Sequence, residues 1–178
     1  MEINRAYTIA FTGNRDLTSP DGVSGSKLCD RLRTELFEML EQRYAQGYKT
    51  FLTGMAIGWD MLAAEVVLEL RQKHCDIRLI AIVPFEGQQN MYRAEDSMRY
   101  EVILEAADYT HTVWSGAYNR FVYHLRNDFL VANSSVMIAY DCGNGGGATS
   151  TISKASKKGL RVINLYDTTT PMQLDFGW

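Results

Sequence analysis

Two glycine-rich stretches carry the residue types most suited to holding an oxygen-rich anion: Thr53-Gly54-Met55-Ala56-Ile57-Gly58-Trp59-Asp60 and Gly143-Asn144-Gly145-Gly146-Gly147-Ala148-Thr149. Each follows a short apolar run and opens a helix-period pattern. The first backbone N–H groups of a helix lack intrahelical partners and, with the helix dipole, favour negative charge. Glycine lets a ligand reach that backbone without meeting a Cβ. A third block, Thr12-Gly13-Asn14-Arg15, adds a hydroxyl and a guanidinium fork suited to phosphate, and Arg126-Asn127 adds a second such fork. Pro84-Phe85-Glu86-Gly87-Gln88 closes another apolar run. Together these blocks have the composition of an anion and sugar cradle. Neither glycine loop continues into Gly-Lys-Ser/Thr, and G-x-G-x-x-G is absent, which argues against ATP hydrolysis and a standard dinucleotide dehydrogenase.

The elements needed to bring these blocks together are legible as alternating strands and helices. Residues 7–12, 77–83, 109–114, 135–140 and 160–165, with the run ending at Thr53, read as strands rich in apolar and β-branched residues. Leu28, Leu32, Leu36 and Leu40 recur every four residues, predicting a helix over about 26–46 that Gly47 stops. Leu62, Val66, Val67 and Leu70 predict a second, to about Lys73, and further helices are expected over about 94–107, 119–132 and from the last glycine cluster to Lys158. In the fourth, Phe121, Leu125 and Phe129 set the apolar face and leave Arg126 and Asn127 on the polar side. The expected architecture is α/β: a Rossmann-like three-layer fold with a mostly parallel sheet of about six strands and helices on both faces. Right-handed crossovers would place every strand-to-helix loop on one sheet edge, where ligands bind such folds.

The 178 residues fit one domain, with a core over about 7–165 and a polar, loosely held tail over 166–178. A net charge of -3 gives no basic footprint for nucleic acid or an anionic membrane surface. Cys29, Cys75 and Cys142 are too scattered for a metal site or redox motif and read as reduced thiols, so the cytoplasm is the expected compartment. His74, His111 and His124 lack metal-ligand spacing; no metal and no role is assigned to them. No apolar run is long enough for a membrane span.

Several residues carry two readings. Asp60 lies where a carboxylate either caps free N–H groups or takes ribose hydroxyls. Arg15 and Arg126 are phosphate clamps or solvated surface. Thr149 is a helix cap or a phosphate ligand. Trp59, Tyr92 and Tyr118 stack on a base or pack the fold, Met55 reads as core filler, and Glu65 and Glu69 read as a solvated face, with Glu69 pairing with Lys73.

The order and spacing of these blocks, from Tyr7 to about Asn164, resemble the YpsA-like branch of the SLOG superfamily, which also includes the DNA-uptake protein DprA and the LOG phosphoribohydrolases. The resemblance implies a Rossmann-like fold that binds a nucleotide or an NAD-derived ligand such as ADP-ribose, as a sensor or regulator. The residues it marks for the ligand are Thr12, Gly13, Arg15, Thr53, Gly54, Met55, Gly58, Asp60, Pro84, Arg126, Asn127, Gly145, Gly146, Gly147 and Thr149. LOG enzymes pair an arginine, matched by Arg126, with a glutamate three residues after the threonine of their glycine loop; here Ile152 occupies that place and no proline precedes the glycines. N-glycosidic cleavage, which needs a carboxylate at the reacting centre, is therefore the alternative and DprA-like single-stranded DNA binding the third reading. Catalytic residues, if any, and oligomeric state stay open.

Overall fold

A computed structural model describes residues 2–20, 22–116 and 118–166. Six strands, β1 (Thr8–Gly13), β2 (Thr50–Thr53), β3 (Arg78–Val83), β4 (Tyr109–Thr112), β5 (Val136–Tyr140) and β6 (Arg161–Asn164), form one sheet in the order β4-β3-β2-β1-β5-β6. Every pairing is parallel, with Ile9 opposite both Phe51 and Val136. The helices are α1 (Ser26–Ala45), α2 (Trp59–Arg71), α3 (Ala94–Ala106), α4 (Val122–Ala132) and α5 (Gly147–Lys157). The chain winds outward from β1 to β4, returns through α4 to β5 beside β1, and continues to β6. The strand order thus reverses between β1 and β5, the position where an open parallel sheet leaves a crevice at its carboxyl edge.

The strand residues alternate between two apolar layers, as the period of two requires. Ile9, Phe11, Phe51, Leu79, Ala81, Val83, Val136, Ile138 and Tyr140 face the layer containing α1, α2 and α3 residues. Ala10, Leu52, Ile80, Ile82 and Met137 face the other, with Leu130 and Val131 of α4 and Ala155 of α5. Three crossovers in one direction therefore cover one face, and the return through α4 with the step to β6 covers the other. The edge strand β4 carries exposed Tyr109 and Thr110 and is short, which blunts pairing by a second sheet.

The structure revises several local expectations. α2 is buried nearly all round, from Trp59 through Ala64 and again at Val66, Val67 and Leu70, because the sheet covers one side and α1 and α3 pack against it in the same layer. α4 begins at Val122 rather than Asn119, and its buried residues are Val122, Arg126, Leu130 and Val131; Phe121 is 62% exposed. The apolar stripe is thus one residue out of register with the expected one, and Arg126 lies within it. Glu65 is not part of a solvated face: it joins Arg33 of α1 to Arg99 of α3 in an ion-paired triad. Lys73 pairs with Glu41 at 3.3 Å instead of Glu69. Tyr166 packs edge-on against Tyr140 at 5.5 Å, and the expected loose tail beyond it lies outside the described residues.

Candidate functional site

At the carboxyl edge between β1 and β5, the loops enclose a cavity of about 560 Å³, within the ~300–1,000 Å³ typical of small-molecule sites. The β1 loop contributes Thr12 to Asp16, the start of α2 Ala56 and Asp60, the α4 region Arg120, Tyr123, His124, Arg126 and Asn127, and the β5 loop Cys142, Asn144 and Gly146 to Ala148. Three arginines thus line it against two carboxylates, Asp16 and Asp60.

Asn14 fastens these loops. Its backbone N–H donates to the Tyr140 carbonyl at 2.8 Å, its own carbonyl accepts from the Trp59 N–H at 3.1 Å, and its side chain donates to Asp141 and accepts from the Cys142 N–H. One residue therefore ties the end of β1 to α2 and to the β5 loop. The approach leaves no room for side chains: a Cβ on Gly13 would lie 2.6 Å from Trp59, and one on Gly58 would strike the Arg15 carbonyl at a φ of +82°. Trp59 is fully buried, stacks on Tyr140 at 5.5 Å and donates through Nε1 to the Ile138 carbonyl, so of its two readings the structure gives packing.

Arg126 crosses from α4 to the β2 loop. Its Nη1 donates to the Gly54 carbonyl and lies 3.5 Å from Asp60 Oδ2. The residue is only 8% exposed, which overturns the solvated-surface reading, and its Nε is buried without a hydrogen-bond partner among the described residues. Such an orphaned donor on a buried cation is costly and points to an acceptor that completes it. Asp60 is 3% exposed and accepts from the Ala56 N–H at 3.4 Å, so it caps the preceding loop rather than its own helix. Burial pushes its carboxyl up to about 6, against the opposing pull of Arg126 and the Ala56 N–H.

The two glycine loops differ in what they leave free. In the first, the Thr53 hydroxyl donates to the Asp60 carbonyl and accepts from the Met55 N–H at 3.2 Å, while the Ala56 N–H is taken by Asp60. Met55 adopts φ 57°, a strained setting for a side-chain-bearing residue, with its carbonyl receiving the Tyr92 hydroxyl at 3.2 Å. Burial and this hydrogen bond place Tyr92 in the fold, with its hydroxyl pushed up to about 12. Thr53, Gly54, Met55 and Gly58 therefore stand behind the cavity wall instead of on it, and Gly54 is glycine because a Cβ there would meet Asp60 at 2.7 Å. In the second loop the N-cap residue Gly146 supplies no side-chain cap to α5, so the first-turn N–H groups of Gly147 and Ala148 open beside the cavity these residues line.

Of the residues expected at a ligand, the structure brings Thr12, Gly13, Arg15, Asp60, Arg126, Asn127, Gly146 and Gly147 to this one cavity. Pro84 is buried at the end of β3 and does not line it, nor does Gly145. Thr149 donates to Asp141 Oδ2 at 2.7 Å and stands behind the loop. Asn14, Arg120, Tyr123 and His124 were not among the residues expected at the ligand; the last three stand with Asn127 along the start of α4 and the turn before it. Their spacing of three, one and three residues is a helix-face signal that could have found them. Among the described residues no cluster of three or more His, Cys, Asp or Glu is arranged to hold a metal, and no helix is long and apolar enough to cross a membrane.

Comparison with known proteins gives the chain its relatives. A UPF0398 protein of Brevibacillus brevis is 31% identical over 144 residues, spanning 76% of this chain and 74% of that protein. One from Halalkalibacterium halodurans is 30% identical over 130 residues, spanning 68% and 69%. Among solved structures, DNA processing protein A from Helicobacter pylori, described for its single-stranded DNA binding mode, aligns with a TM-score of 0.59 at 17% identity over 88% of this chain and 63% of that one. The Streptococcus pneumoniae protein of the same name aligns with a TM-score of 0.58 at 16% identity, over 87% of this chain and 48% of that one, so this chain spans about half its length. At such identities the likeness is one of fold. The YpsA family model, described as the YspA SLOG family, matches residues 25–173, from the residue before α1 past the end of β6, and the chain belongs to that family.

Proposed function

We propose that this protein binds a nucleotide-type ligand, of the ADP-ribose or NAD-derived class, in the cavity between β1 and β5, and serves as a cytoplasmic sensor or regulator. The observation that carries the reading is Arg126: a buried guanidinium whose Nε has no partner among the described residues, on the same cavity as an α5 N-terminus whose N-cap, Gly146, offers no side-chain acceptor. Phosphoryl oxygens satisfy both at once, since they accept from guanidinium and backbone N–H groups and complement the helix dipole. Arg15 and Arg120 add positive charge along the wall, and Asp60 is the acceptor for a ribose hydroxyl. Isothermal titration with ADP-ribose, NAD, AMP and a cyclic nucleotide tests this. Saturable binding of at least one is expected, and failure of all four overturns it.

The second reading, hydrolysis of an N-glycosidic bond, is favoured by Asp60 alone. A carboxyl in the cavity that titrates at about 6 is suited to exchanging a proton near neutral pH. Chromatography of AMP and NAD after incubation with the protein decides it, released base supporting the reading and intact nucleotide retiring it. Single-stranded DNA rests on the shared fold with the DNA processing proteins and is opposed by the acidic balance; a salt-sensitive mobility shift would favour it.

A further inference from the structure

The main cavity does not end at its arginines. Arg15, Asp16 and Tyr123 also line a second cavity of about 370 Å³, so the two are contiguous across those three residues. This wing lies between the start of α4 and the 3₁₀ turn Gln88–Met91, and its other walls are Ile57, Met91, Tyr92, Arg93 and Asp96. Tyr123 forms the partition, and its ring is held. It packs edge-on against Phe85 and Tyr118, each 6.2 Å away, its hydroxyl reaches the Met91 sulfur at 3.9 Å, and the Arg126 guanidinium sits 6.0 Å from its centre. Met91 is 60% exposed, an apolar side chain left at the rim. A third cavity, of about 450 Å³, also reaches Arg15 and Asp16 but has no aromatic ring among its lining residues.

A fixed ring between a cationic chamber and a smaller chamber with an apolar rim suits a ligand with a charged end and a flat, aromatic end. We propose that the wing beside Tyr123 is a base-binding subsite: the base of a nucleotide stacks on Tyr123 while its phosphate lies in the main cavity. This rests on the nucleotide reading above and adds where the base goes. Asp96, beyond the shared Asp16, is a carboxylate of the wing able to accept from an exocyclic amine on the base edge.

The test compares AMP and ADP-ribose with ribose 5-phosphate, which keeps sugar and phosphate and lacks a base, on the native protein, Tyr123→Ala and Tyr123→Phe. Loss of a stacking ring is expected to weaken AMP and ADP-ribose roughly ten- to hundredfold in Tyr123→Ala while ribose 5-phosphate affinity stays within about twofold and Tyr123→Phe behaves as native. Ribose 5-phosphate binding to the alanine variant also reports that the variant is folded. Equal effects on ribose 5-phosphate and the nucleotides, or no effect on either, would overturn the base subsite while leaving the phosphate site standing. Failure of the native protein to bind any of the three would overturn both.

Discussion

The substitution Gly147→Asp separates the phosphate site from fold stability, because the two respond with opposite signs. Gly147 is the first residue of α5; its φ lies outside the left-handed range, and a Cβ built there has no atom within 4 Å. An aspartate in this place meets no steric obstacle. It relieves the backbone entropy of a helical glycine and puts a negative charge on the positive end of the helix dipole, together about 0.5–1.5 kcal/mol in favour of the folded state. For a domain of this size that raises Tm by about 1–6 °C. The same carboxylate occupies the ground proposed for a phosphoryl group. Two unit charges about 5 Å apart at an effective dielectric of about 20 repel by about 3 kcal/mol, which is about a hundredfold in Kd. Gly147→Ala is the control, with the helical gain and no charge, and its affinity should stay near native. Differential scanning calorimetry and isothermal titration with ADP-ribose on the three proteins give both quantities. Equal affinities for the alanine and aspartate variants would refute the placement of phosphate at α5, whatever the melting temperatures show.

Other expected outcomes follow from the same contacts. Arg126→Met removes the partner of buried Asp60 and should lower stability by about 3 kcal/mol in urea denaturation; a cycle with Asp60→Asn should show the two losses to be strongly non-additive. Asn14→Asp sets a second carboxylate against Asp141 and gives up a donor, so a loss of about 1–3 kcal/mol is expected, with affinity falling as the loops separate. Asp60 holds its proton up to about pH 6 in the fold but only to about pH 4 in the unfolded chain, so its contribution to stability falls as pH rises between the two. Above about pH 6 its charge also opposes a bound phosphate. A pyrophosphate diester such as ADP-ribose should therefore bind roughly tenfold more tightly at pH 5.5 than at 7.5, and keep that trend in His124→Gln, where the imidazole charge is removed.

The sheet and its carboxyl edge were legible because strands buried on both faces read as short apolar, β-branched runs and because handedness forces the loops to one side. Stretches such as Ile77–Val83 need no tertiary information to declare themselves. The inner architecture of the site was less legible, since it depends on residues that find partners far along the chain. Arg126 looks like a surface residue in its helix because a guanidinium interrupts the apolar pattern; its burial is offset by the Gly54 carbonyl and by Asp60, which only the fold brings near. Glu65 was misread for the same reason, its partners Arg33 and Arg99 lying on two other helices. The first glycine loop looks as open as the second in composition. It is closed because the Thr53 hydroxyl and the Asp60 carboxylate turn back onto its N–H groups, a local choice that glycine content does not encode.

The most direct measurement is amide NMR of the 15N-labelled protein during titration with ADP-ribose. Saturable downfield shifts of the Gly147 and Ala148 amide protons are expected, together with a shift of the Arg126 Nε–H resonance, as each gains a charged acceptor. Saturable binding that leaves these three signals in place and moves others would contradict it.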